Sequence, residues 1–346
     1  MPKLPRKTVY LVSPDATKIE GLELAWENLK IITNKSTPYL RKAQKRGVDI
    51  TFVKLPKAKK TSELLESPLA INLLKRGSRL LVFKNLPKVE KLAKTKGWKL
   101  LMPEARFVNE IEDKIHFVKF CEKHQLPLLP TRVMELNTLI FTQPVVIQTR
   151  RGHAGESTFF VRSAKELEGL KKLIGKWVVK ITPLMKLPTF SLDLVVGEKT
   201  IYQTQPFYQI TGDARLNPLP GGTGGIDLGI AQKLKPEILK AIATLGEKVG
   251  EALRGIGYRG IAGIDLLVDE RSGKLYLIEC NPRMLSNLGF ITKLQKEAGE
   301  LPLLTIHILE MLGEKIGEWN PPKISSVKEG RFELAHPNAK HILNPS

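Results

Sequence analysis

The stretch "LYLIECNPRM" (Leu275–Met284) starts as an apolar strand and ends on residues that strands avoid. Side chains alternate along a strand, so Leu277, Glu279 and Asn281 are expected on one face and Tyr276, Ile278 and Cys280 on the other. Upstream, "GIAGIDLLVD" (Gly260–Asp269) reads as a second strand, joined to the first by the turn "ERSGK". A turn centred near Ser272 sets Asp265 opposite Glu279, where Cβ atoms lie roughly 4.5–5.5 Å apart. Two carboxylates that close repel unless a cation lies between them. With Asn281 beside them, the oxygen-only donor set suits Mg²⁺ or Mn²⁺, ions that keep waters and share their shell with phosphates. Arg283, just beyond, has the planar fork that holds an anion bidentately. The bland alternative is a solvent-facing strand with scattered polar residues. Asp and Asn are depleted in strands and Pro ends them, which argues against it.

The pattern "GIDLLVD…LYLIECNPR" resembles the metal-binding hairpin of the ATP-grasp superfamily, close to its biotin carboxylase and carboxylate–amine ligase branch. The resemblance implies that Asp265, Glu279 and Asn281 hold magnesium and that Arg283 holds substrate or phosphate. It continues through "EDKIHFVKFCEKHQLPLLPTRV", which is similar to the family's Asp-Lys-helix segment and makes Lys114 a phosphate contact. "PVVIQTRRGHAGESTFFVRSAKEL" matches the strand, phosphate-covering loop and strand that follow. In that loop Gly152 and Gly155, with His153 and Ala154, let backbone N–H groups approach a polyphosphate. The family's phosphate lysine falls on Gln148 here, so Lys180 on "KWVVKI", or Arg150, is expected to supply the charge. The adenine-reading hinge falls on Thr182, Pro183 and Leu184, without the family's frequent glutamate. The implied fold is α/β and α+β, two α+β subdomains gripping ATP, preceded by a small parallel α/β domain.

The rest of the chain fits that division. "KTVYLVSP", "VDITFVKLP" and "SRLLVFKNLP" read as strands, alternating with apolar residues at helical spacing in "TKIEGLELAWENLK" and "SELLESPLAINLLKRG". A parallel domain over 1–105 follows. Residues 106–185 form the first grasp subdomain and 186–325 the second, which includes a hairpin around Gly197 and a helix from Pro236 to Leu253. An irregular tail is expected over 326–346. "GDARLNPLPGGTGGIDLG" (Gly212–Gly229) has no obvious element, and a loop that long in a compact domain is commonly functional. The family uses this region near its acyl phosphate, which makes Arg215 a candidate for stabilising developing negative charge.

Composition bounds the remaining readings. At 346 residues the chain is expected to hold more than one core. No run approaches the roughly 18–20 apolar residues of a membrane span, and the N-terminus lacks a signal-peptide pattern. Cys121 and Cys280 lie far apart without metal-ligand spacing, so a reducing cytoplasm is expected. The first 100 residues carry 23 Lys and Arg against 8 Asp and Glu, a net +15 of the total +20. Such a field attracts an acidic protein or polymer, or is simply a solvated lysine-rich surface.

The expected activity is ATP-dependent ligation of a small-molecule or peptide carboxylate to an amine through an acyl phosphate, with a homodimer as in related ligases. The alternatives are a kinase of the same fold, a non-catalytic ATP-binding protein, and an acidic-polymer binder working through residues 1–100.

Overall fold

The computed structural model describes residues 3–55, 58, 60–152 and 157–333. Its first unit is a parallel sheet. The elements are β1 (Val9–Val12), β2 (Leu29–Thr33), α1 (Pro38–Lys45), β3 (Asp49–Phe52), α2 (Thr61–Leu65), α3 (Pro68–Leu73), β4 (Arg79–Val82), α4 (Pro87–Lys96) and β5 (Lys99–Leu100). The strand order is β3-β2-β1-β4-β5. The β-branched and leucine runs of the central strands are almost wholly buried, as a sheet covered on both faces requires.

Two expectations fail in this unit. Thr17–Lys30 is not a helix: it folds as 3-10 turns at Ala16–Ile19 and Leu22–Ala25 and then enters β2 at Leu29. Gly21 separates the turns at φ +87°, a left-handed conformation that glycine favours. Its missing side chain matters too, because a Cβ there would stand 2.6 Å from the Gly289 carbonyl oxygen. The helical reading of Ser62–Gly77 also breaks, into α2 and α3, with Ser67 capping and Pro68 opening the second.

The second unit runs through α5 (Ala105–Ile111), α6 (Lys114–Lys123), β6 (Arg132–Glu135), β7 (Val145–Gln148), β8 (Thr158–Val161), α7 (Ala164–Ile174) and β9 (Val178–Pro183). Its four strands lie in the order β6-β9-β7-β8. Asp113 caps α6 by accepting from the N–H groups of Ile115 and His116, which fixes Lys114 at the first helical position.

The third unit holds the largest sheet. It comprises β10 (Thr189–Val196), β11 (Ile201–Gln203), β12 (Phe207–Thr211), β13 (Thr223–Asp227), α8 (Leu228–Ala231), α9 (Pro236–Gly255), β14 (Gly260–Asp269), β15 (Lys274–Asn281), α10 (Leu288–Glu297), α11 (Leu303–Leu312) and β16 (Arg331–Glu333). The path is β15-β14-β10-β12-β13-β16, with β11 on β10. Along β10, Phe190, Leu192, Leu194 and Val196 enter a core shared with Ile238, Ile242, Leu245 and Val249 of α9. The alternate residues Ser191 and Asp193 point to the other face. The long segment read as element-free contains β13, and the tail begins with β16, which pairs with β13. Glycine-rich β13 has few side chains to announce it, so its pairing is visible only in three dimensions. No helix of the described residues is long and apolar enough to cross a membrane.

The first unit is locked to the third by His307 of α11. Its Nε2–H donates to the Leu101 carbonyl at 2.8 Å, and its Nδ1 accepts from the Ile261 N–H at 3.1 Å. Only neutral imidazole satisfies both bonds. Burial lowers its pKa to about 4 although the Leu101 bond opposes this. An exposed histidine takes up a proton near 6.5, so this contribution is complete above that pH and lost as the pH falls toward 4. The window is worth about 3 kcal/mol. Denaturation measured from pH 7.5 to 4.5 is expected to show His307→Gln losing less stability on acidification than the native chain. Parallel curves would contradict this role.

Candidate functional site

The β14–β15 register pairs Asp265 with Glu279, as the short turn predicts. A bulge follows between Asp265 and Leu266, so Leu266 pairs with Leu277 and Ile278 is the extra residue. Leu277 packs against the core with Leu266 and also lines the cavity beside Glu279. The bulge also leaves the Ile278 carbonyl to accept from Lys180 Nζ at 2.8 Å.

Around the two carboxylates the contacts are dense. Asp265 accepts from Ser191 Oγ of β10 and from Gln209 Nε2 of β12, the latter at 2.6 Å. Asn281 Nδ2 lies 3.4 Å from Asp265 Oδ2 and 3.2 Å from Glu279 Oε1. Lys114 Nζ stands 3.1 Å from Glu279 Oε2 and 3.4 Å from the Gly152 carbonyl. Burial and the neighbouring Glu279 push the Asp265 carboxyl well above its ordinary range. Burial would raise Glu279 as well, but the Lys114 ammonium outweighs it and holds that carboxyl low. The two carboxyls are thus driven in opposite directions, as expected of acids held this close.

The donor set fits a hard divalent ion: two half-buried carboxylates and an amide, with room for water and phosphate oxygens. Among the described residues no group of three or more His, Cys, Asp or Glu competes for such an ion. Asn281 is turned with Nδ2 toward the acids and Oδ1 accepting from Arg283 at 2.8 Å. Acting as a ligand requires the opposite amide orientation.

A cavity of about 300 Å³ opens beside this pair. Lys114, Gln148, Gly152 and Lys180 line it at one end, and Thr182, Pro183 and Leu184 line it along β9. Gln148 is paired across the ladder with Lys180. The cationic charge thus stands one strand away from its position in the family pattern. Lys180 is 2% exposed. Burial lowers its pKa to about 8 despite the attraction of Glu279. Arg150, the other candidate for that charge, instead donates to Asp113 at 2.8 Å. His153, Ala154 and Gly155 lie outside the described residues.

Arg283 is organised from three sides. Its Nε donates to Glu112 at 2.9 Å, one terminal nitrogen to Asn281 and the other to the Met284 carbonyl. Glu112 also pairs with Lys84, just beyond β4. The Met284 N–H donates to the Phe83 carbonyl at 3.2 Å, so the hairpin's end is tied to the first unit. Gly263 permits this crossing, since a Cβ there would meet Leu285 at 2.4 Å. Arg215 is not brought to this cavity: it is exposed and paired with Asp213 two residues away. Ser191, Gln209 and Glu112 were missed by sequence reasoning. Ser191 had a signal, a polar residue inside the apolar run "TFSLDLVV".

The comparisons with known proteins agree with this geometry. The ATP-grasp domain model matches residues 111–287, just over half of the chain. The chain belongs to the ATP-grasp family. The carbamoyl phosphate synthase large chain of Clostridium botulinum (strain Loch Maree) is 33% identical over 99 residues, 26% of this chain and 9% of that one. The chain therefore spans about a tenth of that relative's length. Among solved structures, biotin carboxylase of Campylobacter jejuni superposes with a TM-score of 0.67 at 17% identity, over 89% of this chain and 71% of that one. N5-carboxyaminoimidazole ribonucleotide synthetase of Thermotoga maritima gives 0.60 at 18% identity, over 89% and 76%. Both show a shared fold.

Hydrogen bonds to charged groups contribute about 1.5–3 kcal/mol, so Lys180→Met is expected to weaken binding of an ATP analogue by roughly 10–100-fold. Gln148→Ala is expected to cost only a few-fold. Titration calorimetry reads both, and undiminished affinity in Lys180→Met would remove it from the phosphate site.

Proposed function

We propose that this protein is an ATP-dependent carboxylate–amine ligase. The observation that carries the reading is the half-buried Asp265–Glu279 pair, facing a cavity on which Lys114 and Lys180 converge. Hydrolytic or redox readings explain none of these groups together. Membership of the family and the hairpin's likeness to its ligase branch support the same conclusion.

In this reading Asp265, Glu279 and a turned Asn281 hold Mg²⁺ or Mn²⁺, which supplies charge neutralisation on the nucleotide phosphates. Lys114 and Lys180 bring two ammonium groups to the phosphate end. Gly152, in the cavity lining, lets the backbone approach the phosphates. Thr182, Pro183 and Leu184 offer backbone groups to adenine along the cavity wall. A substrate carboxylate held at Arg283 attacks the γ-phosphorus, ADP leaves, and an acyl phosphate forms. An amine then attacks the acyl carbon, phosphate leaves, and the amine's proton passes to solvent. Positioning and charge stabilisation account for most of the acceleration in such transfers, so no dedicated base is required.

Gln148 favours a second reading, an ATP-binding protein without turnover, because a neutral amide supplies no charge. The neighbouring Lys180 restores the charge and favours catalysis. Hydroxylamine traps acyl phosphates as hydroxamates. A panel of carboxylic acids with ATP, Mg²⁺ and hydroxylamine is expected to yield a hydroxamate for the true substrate. Glu279→Ala is expected to lower that yield by at least about a hundredfold. ADP release with a phosphorylated hydroxyl and no hydroxamate would make the protein a kinase. Nucleotide binding without ADP release for any acid would support the non-catalytic reading.

A further inference from the structure

A second cavity, of about 730 Å³, lies in the first unit and plays no part in the nucleotide site. It is bounded by Asn34 and Ser36 after β2, by Arg41, Gln44 and Lys45 of α1, and by Phe52–Leu55 at the end of β3. Arg41 and Lys45 stand one helical turn apart, and Lys54 faces them from the loop after β3. All three are exposed. Among the described residues none is in an ion pair with an acidic residue, and no carboxylate lines the cavity. Arg41 donates only to the Ser36 hydroxyl, at 3.1 and 2.9 Å. Phe52, Val53 and Leu55 give the concavity an apolar side.

Its position gives these cations a purpose. In a parallel sheet, ligands bind beyond the carboxyl ends of the strands. The carboxyl end of β4 is where the Phe83 carbonyl receives the Met284 N–H, beside Arg283. Both places lie on one edge of one sheet. From β3 to β4 there are three interstrand steps of about 4.8 Å, so the end of β3 that borders the cavity stands roughly 14 Å along the sheet from β4.

We propose that this cavity is a docking subsite for an acidic polypeptide, which lies along the carboxyl edge and presents its reacting carboxylate at Arg283. The assignment rests on the ligase reading above. Carboxylates repeated along an extended chain, about 3.3–3.6 Å per residue, match cations set at a distance from the reacting centre. A nucleic acid is disfavoured because its bases need stacking surfaces and the lining has one aromatic residue, Phe52.

The test uses the full chain and a fluorescein-labelled decaglutamate, without nucleotide. Fluorescence anisotropy is expected to show binding that weakens steeply between about 50 and 200 mM salt. The triple substitution R41A/K45A/K54A is expected to weaken it at least tenfold while leaving ATP-analogue affinity unchanged, which also shows that the variant is folded. Glu279→Ala is expected to keep decaglutamate binding, so loss of the nucleotide site and loss of this subsite are read separately. Absence of decaglutamate binding at low salt, or binding indifferent to the triple substitution, would overturn the proposal. A single-stranded oligonucleotide of equal charge that binds more tightly, with the same dependence on the three cations, would overturn the polypeptide assignment.

Discussion

The Asp265–Glu279 cross-strand pair is the constraint on which the site depends. Two carboxylates held side by side in a half-buried site are costly, and the surroundings compensate one at a time. Lys114 holds the Glu279 carboxyl low, whereas the Asp265 carboxyl is pushed up and accepts hydrogen bonds from Ser191 and Gln209. A divalent ion between the two carboxylates relieves the same repulsion. Each of these partners comes from a different element: α6, β10 and β12. The pair therefore reports whether the second and third units are correctly assembled.

The first unit is part of the same machinery. Glu112 links Lys84, at the end of β4, to Arg283, at the end of β15. Burial would raise Glu112, but Arg283 and Lys84 together hold its carboxyl below the usual range. Arg283 is thus oriented by a carboxylate from α5's C-terminal end and an amide from its own strand, with the first unit beneath it. The glycine contact between Gly21 and Gly289 brings the same two units into backbone contact elsewhere.

Much of this was legible in the sequence wherever local chemistry decides structure. The five-residue turn left little freedom in the β14–β15 register, and Asp113 announced the start of α6. The displaced charge was narrowed to Lys180 or Arg150, and the structure ties Arg150 to Asp113 while Lys180 lines the cavity. What escaped depended on distant contacts. β2 was hidden because Leu29–Thr33 continues an apolar rhythm that the glycine at 21 interrupts. β13 was hidden because glycines carry no pattern. The bulge at Ile278 has no signature in alternation. Arg215 was drawn into the site by a resemblance, whereas its nearest acid, Asp213, keeps it at the surface.

The central claim is that Asp265 and Glu279 form a magnesium-dependent nucleotide site. It is tested most directly by the thermal stability of the native chain and Glu279→Ala, each with a non-hydrolysable ATP analogue, with and without Mg²⁺. A ligand at about 100 times its Kd adds about 2.7 kcal/mol. The account predicts a rise of a few degrees in the native chain that requires Mg²⁺ and disappears in Glu279→Ala. A rise that is equal in both proteins, or independent of Mg²⁺, would contradict it.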